Sequence, residues 1–149
     1  MQGEKPTISV ITVCYNAAKE LEKTIASVRC QTYPHLQYIV VDGESTDATP
    51  QLLERHKADI DIILSEPDRG IYDAMNKGID LATGDYLCFM NAGDVFHRED
   101  TLQRVFDQIG SDRPGVIFGD TDIVDESGKF IRRRRLSPPE AVSYTHLRA

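Results

Sequence analysis

Apolar residues arrive in short, nearly continuous blocks, separated by amphipathic stretches and polar turns. Ile8-Ser9-Val10-Ile11-Thr12-Val13-Cys14 is rich in β-branched residues and predicts a central strand over 8–14. Similar blocks predict strands over 36–42, 60–65 and 86–90. Between the first two, Leu21, Ile25 and Val28 recur at helical spacing, with Glu20, Glu22 and Lys23 on the opposite face. Asn16 is the expected N-cap of that helix, and Pro34 lies beyond its end. Leu52 and Leu53 follow Pro50 in a short helix capped by Asp47 or Thr49. Ile71, Ala74, Met75, Ile79 and Ala82 trace a third helix that ends at Gly84. Leu102, Val105, Phe106 and Ile109 trace a fourth over 100–109. A strand over 116–120 and a hairpin around Glu126-Ser127-Gly128-Lys129 complete the pattern. Strand–helix alternation of this kind predicts a three-layer α/β/α sandwich around a mostly parallel sheet. The 149 residues fit one domain, with 136–149 expected to pack loosely because no periodicity runs through them.

Charge and cysteine usage narrow the class. The net charge of -7 argues against a nucleic-acid partner. Cys14, Cys30 and Cys88 each sit in an apolar pattern without a CxxC pair, so buried free thiols in a reducing compartment are expected. No apolar run has the length of a membrane span, and the first residues lack a leader's hydrophobic region. A cytoplasmic location is therefore expected, with attachment to the inner face of the membrane left open for a longer protein. The four histidines lack metal-ligand spacing, and the glycines form neither a GxGxxG nor a Walker motif.

Candidate chemistry gathers at strand ends. Asp42, Asp94 and Asp120 each follow an apolar run, and Asp47 sits in a turn. Parallel strands end on one edge, so Asp42 and Asp94 are expected to face one cleft there. Asn91-Ala92-Gly93-Asp94 suits a divalent ion and a diphosphate, or equally an Asx turn that merely closes a strand. Asp68-Arg69-Gly70 places a cation beside a helix start, which favours an anion; the alternative is a solvated loop arginine. Arg132-Arg133-Arg134-Arg135 reads as a phosphate or anionic-lipid contact or as a charge-guarded edge strand, the second preferred. Alternation along a strand would point only half of these arginines one way.

Taken in order, these pieces resemble family 2 glycosyltransferases of the GT-A fold. The resemblance rests on Ile8–Val13 with Tyr15-Asn16, on Val40-Val41-Asp42-Gly43-Glu44-Ser45-Thr46-Asp47, and on Glu66-Pro67-Asp68-Arg69-Gly70-Ile71-Tyr72-Asp73-Ala74-Met75-Asn76-Lys77-Gly78-Ile79. It continues through Ala82-Thr83-Gly84-Asp85-Tyr86 to Asn91-Ala92-Gly93-Asp94, about residues 7–96 in all. The Asp-Arg-Gly-Ile-Tyr-Asp-Ala-Met-Asn-Lys-Gly variant is similar to bacterial enzymes of exopolysaccharide and lipopolysaccharide synthesis. The resemblance implies a nucleoside diphosphate sugar donor, most often UDP-linked, and a saccharide or lipid-linked acceptor. It implies that Asp42 accepts from the nucleobase and that Asn16 and the backbone at Cys14 line the nucleoside. Arg69 and Asp73 would lie along the donor, and Asp94 would hold Mg2+ or Mn2+. Transfer would invert the anomeric carbon and need a general base, which no motif here places; Asp120 is present but unassigned. The family's metal motif has two acids spaced by one residue, whereas here only Asp94 is acidic. The chain is thus expected to be the donor-binding N-terminal part of a longer enzyme, with a nucleotide-sugar-binding fragment that lacks catalysis as the alternative.

Overall fold

The computed structural model describes residues 4–135 and the short strand 145–147. In chain order the elements are β1 (Ile8–Cys14), α1 (Ala18–Arg29), β2 (Leu36–Asp42), α2 (Thr49–Arg55), β3 (Ile62–Ser65), α3 (Ile71–Leu81), β4 (Tyr86–Phe89) and α4 (Thr101–Ile109). Three short strands follow, β5 (Ile117–Gly119), β6 (Thr121–Val124) and β7 (Phe130–Arg134), and then β8 (Thr145–Leu147). The main sheet runs β3-β2-β1-β4 with every pairing parallel. β5 pairs with β8 in parallel, and β6 and β7 form an antiparallel hairpin. The expected loose tail over 136–149 otherwise lies outside the described residues.

Side-chain alternation divides the core between the two faces of the sheet, as the pleat requires. Ile8, Val10, Cys14, Tyr38 and Val40 pack with Leu21, Ile25 and Val28 of α1, Leu52 and Leu53 of α2, and Leu102, Phe106 and Ile109 of α4. Ile11, Val13, Ile39 and Val41 pack on the other face against Ala74 of α3. The three layers expected from the sequence are therefore present. Each fully buried aliphatic side chain in β1 and β2 contributes about 1.5–3 kcal/mol relative to exposure.

Three local expectations change. α3 buries Ala74 and Gly78 rather than the large residues of its stripe, and Ile71 and Ile79 are exposed. The cause is close approach: a Cβ at Gly78 would lie 2.5 Å from Ile11 Cγ2, so the helix meets the sheet through its small residues. β3 begins at Ile62 rather than at 60, because the Asp61 carboxylate takes the Tyr38 N–H at 2.7 Å. Cys30 is exposed, unlike buried Cys14 and partly buried Cys88, because it falls off the Leu21–Val28 stripe at the end of α1. Burial, reinforced by Asp42, pushes the Cys14 thiol up to about 12. Burial likewise pushes Cys88 up to about 11. A thiol reagent at pH 8 is therefore expected to modify Cys30 in the folded protein and to reach Cys14 and Cys88 only on unfolding, measured by mass spectrometry of the labelled peptides.

Candidate functional site

β1 is followed in sequence by β2 on one side, and β4 returns to its other side, so the strand order reverses beside β1. In open α/β sheets the ligand crevice lies outside the strand C-termini at such a reversal. Tyr15-Asn16, the turn after Asp42 and the turn after Phe89 all leave the sheet at this edge.

The turns after β1 and β2 hold each other. Asn16 has φ 48 and does not cap α1. Its side-chain oxygen instead accepts the Thr46 N–H at 2.8 Å and the Asp47 N–H at 3.2 Å. Capping of α1 comes from some thirty residues away: Ala17 N–H donates to Thr49 Oγ1 at 3.1 Å, and Ala18 N–H to Asp47 Oδ2 at 3.4 Å. Asp47 also accepts the Thr49 N–H at the start of α2, and the Thr49 contacts hold its carboxyl below the usual range.

Asp42 lies at this edge but is fully enclosed, at 0% exposure. It accepts from the Ser45 hydroxyl, the Ser45 N–H at 3.2 Å, the Ser65 hydroxyl at 2.7 Å and the Cys14 thiol at 3.8 Å. Ser45 in turn accepts the Asn16 N–H at 2.8 Å. Asp42 and Asp94 share this edge, as expected, and the Asp42 oxygens also tie β1, β2 and β3 together. What meets solvent beside it is Gly43, flanked by the Tyr15 ring and the Asp68 carboxylate. A Cβ at Gly43 would stand 2.5 Å from Asp68 Oδ2 and 3.4 Å from Tyr15 Cδ2. Tyr15 is 63% exposed. Asp68 Oδ1 accepts the Gly70 N–H at 2.8 Å, which fixes the carboxylate. The exposed Tyr15 ring, Gly43 and the Asp68 carboxylate seated over that glycine thus form one small cradle at the sheet edge. Sequence reading passed over Tyr15 and Asp68 in this role, although the bare glycine after Asp42 is its one local signal.

Arg69 and Asp73 sit together at the start of α3. Asp73 Oδ2 accepts the Arg69 N–H at 3.1 Å, and Asp73 Oδ1 is 3.3 Å from the Arg69 guanidinium. The Arg69 backbone N–H is the main cause that holds the Asp73 carboxyl below the usual range. The Arg69 side chain is 91% exposed, so a competing anion can recruit it without desolvation. Lys77 bridges Glu66 at 2.8 Å and Asp73 at 3.8 Å; the Glu66 bond chiefly raises its ammonium pKa.

Asp94 ends a tight turn. Its N–H donates to the Asn91 carbonyl at 2.9 Å, and Gly93 takes φ 103. Asp94 is exposed and opens onto a cleft of about 710 Å³ shared with Phe89, Asp120, Asp122, Arg133 and Arg135. A cavity of about 780 Å³ on the apolar side of β4, lined by Tyr86, Leu87, Phe106 and Phe118, lies away from these groups. Asn91 Oδ1 is buried without a hydrogen-bond partner, a cost of about 1–3 kcal/mol unless a water or ligand serves it. No group of three His, Cys, Asp or Glu side chains among the described residues could hold a metal ion by itself. One exposed carboxylate fits Mg2+ or Mn2+ in the manner of an ion carried mainly by a bound diphosphate and water, not of a resident ion in a protein cage. In the hairpin, Arg133 pairs with Asp122 at 2.6 Å and Arg135 with Asp120 at 3.8 Å, while Arg132 and Arg134 alternate to the opposite face. The four arginines divide as strand alternation requires.

Residues 9–148 match the profile of Glycosyl transferase family 2. The chain belongs to that family. A PGL/p-HBAD biosynthesis glycosyltransferase of Mycobacterium bovis is 40% identical over 124 residues, covering 77% of this chain and 46% of its own length. The amylovoran biosynthesis glycosyltransferase AmsB of Erwinia amylovora is 34% identical over 142 residues, 89% of this chain and 46% of its own length. This family 2 chain therefore spans about half the length of the curated relatives it matches. Among solved structures, mannosyltransferase PcManGT from Pyrobaculum calidifontis, in complex with GDP-Man and Mn2+, superposes with TM-score 0.70 at 26% identity, covering 83% of this chain and 37% of that one. S. aureus TarS in complex with UDP-GlcNAc shares the fold with TM-score 0.70 at 24% identity, over 76% of this chain and 34% of that one. The fold expected from the sequence, GT-A, is the fold observed. No helix among the described residues is long and apolar enough to cross a membrane.

Proposed function

We propose that this chain is the donor-binding part of an inverting glycosyltransferase that takes a sugar from a UDP-linked donor to a hydroxyl of a saccharide or lipid-linked acceptor in cell-surface polysaccharide synthesis, at the inner face of the membrane. The observation that carries the reading is the crevice itself: the Tyr15–Gly43–Asp68 cradle and the Asp94 turn both lie at the sheet edge where strand order reverses beside β1. The base stacks on Tyr15 over Gly43, and Asp68 Oδ2 accepts its imide N–H. Cytosine and adenine present a ring-nitrogen lone pair there instead, which a carboxylate repels. Asn16 and the backbone at Cys14 border the nucleoside, with Asp42 acting from beneath through Ser45. Arg69, released from Asp73, reaches the diphosphate. Asp94 would hold Mg2+ or Mn2+, whose charge would offset that developing on the leaving diphosphate. The acceptor oxygen attacks the anomeric carbon as the bond to the diphosphate oxygen breaks. The acceptor's proton passes to a general base; Asp120, on the wall of the cleft shared with Asp94, is the first residue to test for that role.

Calorimetric titration with UDP, GDP, ADP and CDP in the presence of Mn2+ tests this. UDP is expected to bind tightest. Asp68→Ala is expected to weaken UDP and uridine alike, by about ten- to a hundredfold for one charge-assisted bond. Tighter binding of GDP than UDP would overturn the uridine assignment. The 46% coverage of the relatives supports a second reading for the chain on its own, nucleotide-sugar binding without transfer. A radiolabelled-sugar transfer assay on the same sample separates the two.

A further inference from the structure

α1 carries a polar seam inside its buried stripe. Thr24 lies between Leu21 and Ile25 on the face turned to the sheet and is 0% exposed. Its hydroxyl accepts the Gly93 N–H at 2.9 Å and donates to the Asp94 carbonyl at 2.9 Å. A threonine inside a helix ordinarily bonds back to the carbonyl four residues earlier. Here the contacts to the Glu20 and Asn91 carbonyls are long, 3.4 Å each, and the shortest goes to the turn after β4. Further along α1, Ser27 Oγ accepts the Phe96 N–H at 2.7 Å. Just past the helix end, Gln31 donates to the Arg98 carbonyl at 2.7 Å and accepts the Leu102 N–H at 3.1 Å. The segment from Asn91 to Leu102 has no strand or helix before α4 begins, yet it is laced at successive points to residues 24, 27 and 31.

From this geometry we propose that Thr24 is a positioning residue for Asp94: by gripping the backbone on both sides of the Gly93–Asp94 peptide, its hydroxyl fixes the direction in which the Asp94 carboxylate leaves the turn. The proposal rests on the reading of Asp94 as the acid at the diphosphate. Gly93 has φ 103 and no side chain to pack, so beyond the Asp94 N–H to Asn91 carbonyl bond its turn is held by Thr24. The Asp94 carboxylate itself forms no hydrogen bond or ion pair among the described residues. Orientation of the ligand oxygens must therefore come from the backbone, and Thr24 is the buried side chain that bonds it. A supporting group behind a metal ligand is worth on the order of 10- to 100-fold in metal affinity.

Thr24→Val keeps the shape and removes the hydroxyl, and Thr24→Ser keeps the hydroxyl; Thr24→Ala replaces the valine variant should that one not fold. Ser27→Ala cuts the neighbouring tie as a control. Two measurements are made on each: hydrogen exchange of the Gly93 amide, and affinity for uridine and for UDP with and without Mn2+. Thr24→Val is expected to speed Gly93 exchange at least about tenfold. It is expected to lower the Mn2+-dependent gain in UDP affinity by about 10- to 100-fold, leaving uridine within about twofold. Thr24→Ser and Ser27→Ala are expected to keep the gain. Unchanged Gly93 exchange, an undiminished gain, or a parallel loss of uridine binding in Thr24→Val would each overturn the positioning role. A wild type with no Mn2+-dependent gain would overturn the reading of Asp94 and this proposal with it, a failure distinguishable because it shows before any substitution is made.

Discussion

Asp42→Ala is expected to lower the unfolding free energy by about 3–5 kcal/mol. For a chain of this size that corresponds to a fall in Tm of roughly 10–15 °C, measurable by thermal unfolding followed by circular dichroism. The cause is the number of donors that converge on one enclosed carboxylate. Buried Ser45 gives both its N–H and its hydroxyl, and Ser65, at the exposed end of β3, gives its hydroxyl. Removing the acceptor leaves the two Ser45 donors buried and unpaired, at about 1–3 kcal/mol each before relaxation, while the Ser65 hydroxyl can turn to water. Asp42→Asn keeps the volume and one acceptor oxygen and should retain a folded protein at smaller cost. It also decides the role of the residue. With Asp42 acting only through the turn, uridine affinity in folded Asp42→Asn changes by a few fold at most. A tenfold or larger loss in a variant that is still fully folded would mean that the base reaches Asp42 directly.

Asp94→Asn should behave in the opposite way. The side chain is exposed and holds nothing else in place, so stability is expected to stay within about 0.5 kcal/mol of the wild type. Its effect falls on the metal-dependent part of diphosphate binding. A neutral amide keeps the shape but loses the full charge that a hard cation prefers. The Mn2+-dependent gain in UDP affinity should vanish, with a loss at least as large as the roughly 10- to 100-fold that removal of a mere supporting group costs. Uridine, which has no phosphate to share the ion, should bind as before. Titrations of uridine and UDP with and without Mn2+ make the comparison, and a retained gain in Asp94→Asn would show that the ion is held elsewhere.

The sheet was legible because its strands are written locally. β1 and β2 are nearly continuous apolar runs, and a parallel sheet covered on both faces calls for that pattern. Errors arose wherever a residue's partner lies far away in sequence. Asn16 looked like a cap because it precedes a helix, but the groups that cap α1 are Asp47 and Thr49. Asp42 stood out as a strand-end acid, but its bond to Ser65, 23 residues on, left no local sign. Large residues of α3 looked buried because spacing says which face turns inward but not how near the sheet the helix lies, and Gly78 sets that distance. Thr24 did leave a trace, a polar residue at the centre of the Leu21–Val28 stripe. Its meaning depends on the turn near residue 93, which no local pattern joins to it.

Strand order also sets the order in which the molecule can assemble. β1 and β2 come together across a short interval: the Ser9–Gln37 bond joins residues 28 apart. β4 must find the other side of β1 across a much longer one, since the Thr7–Asp85 bond spans 78 residues. Loop-closure entropy makes the longer closure only about 1 kcal/mol dearer, but it gains little until β1 has a formed surface to receive it. The Tyr15–Gly43 side of the crevice thus belongs to the early-forming unit, and the Asp94 side to the last strand added to the main sheet. A chain caught part-way through folding would carry the Tyr15–Gly43 side of the crevice well before it acquired the Asp94 turn.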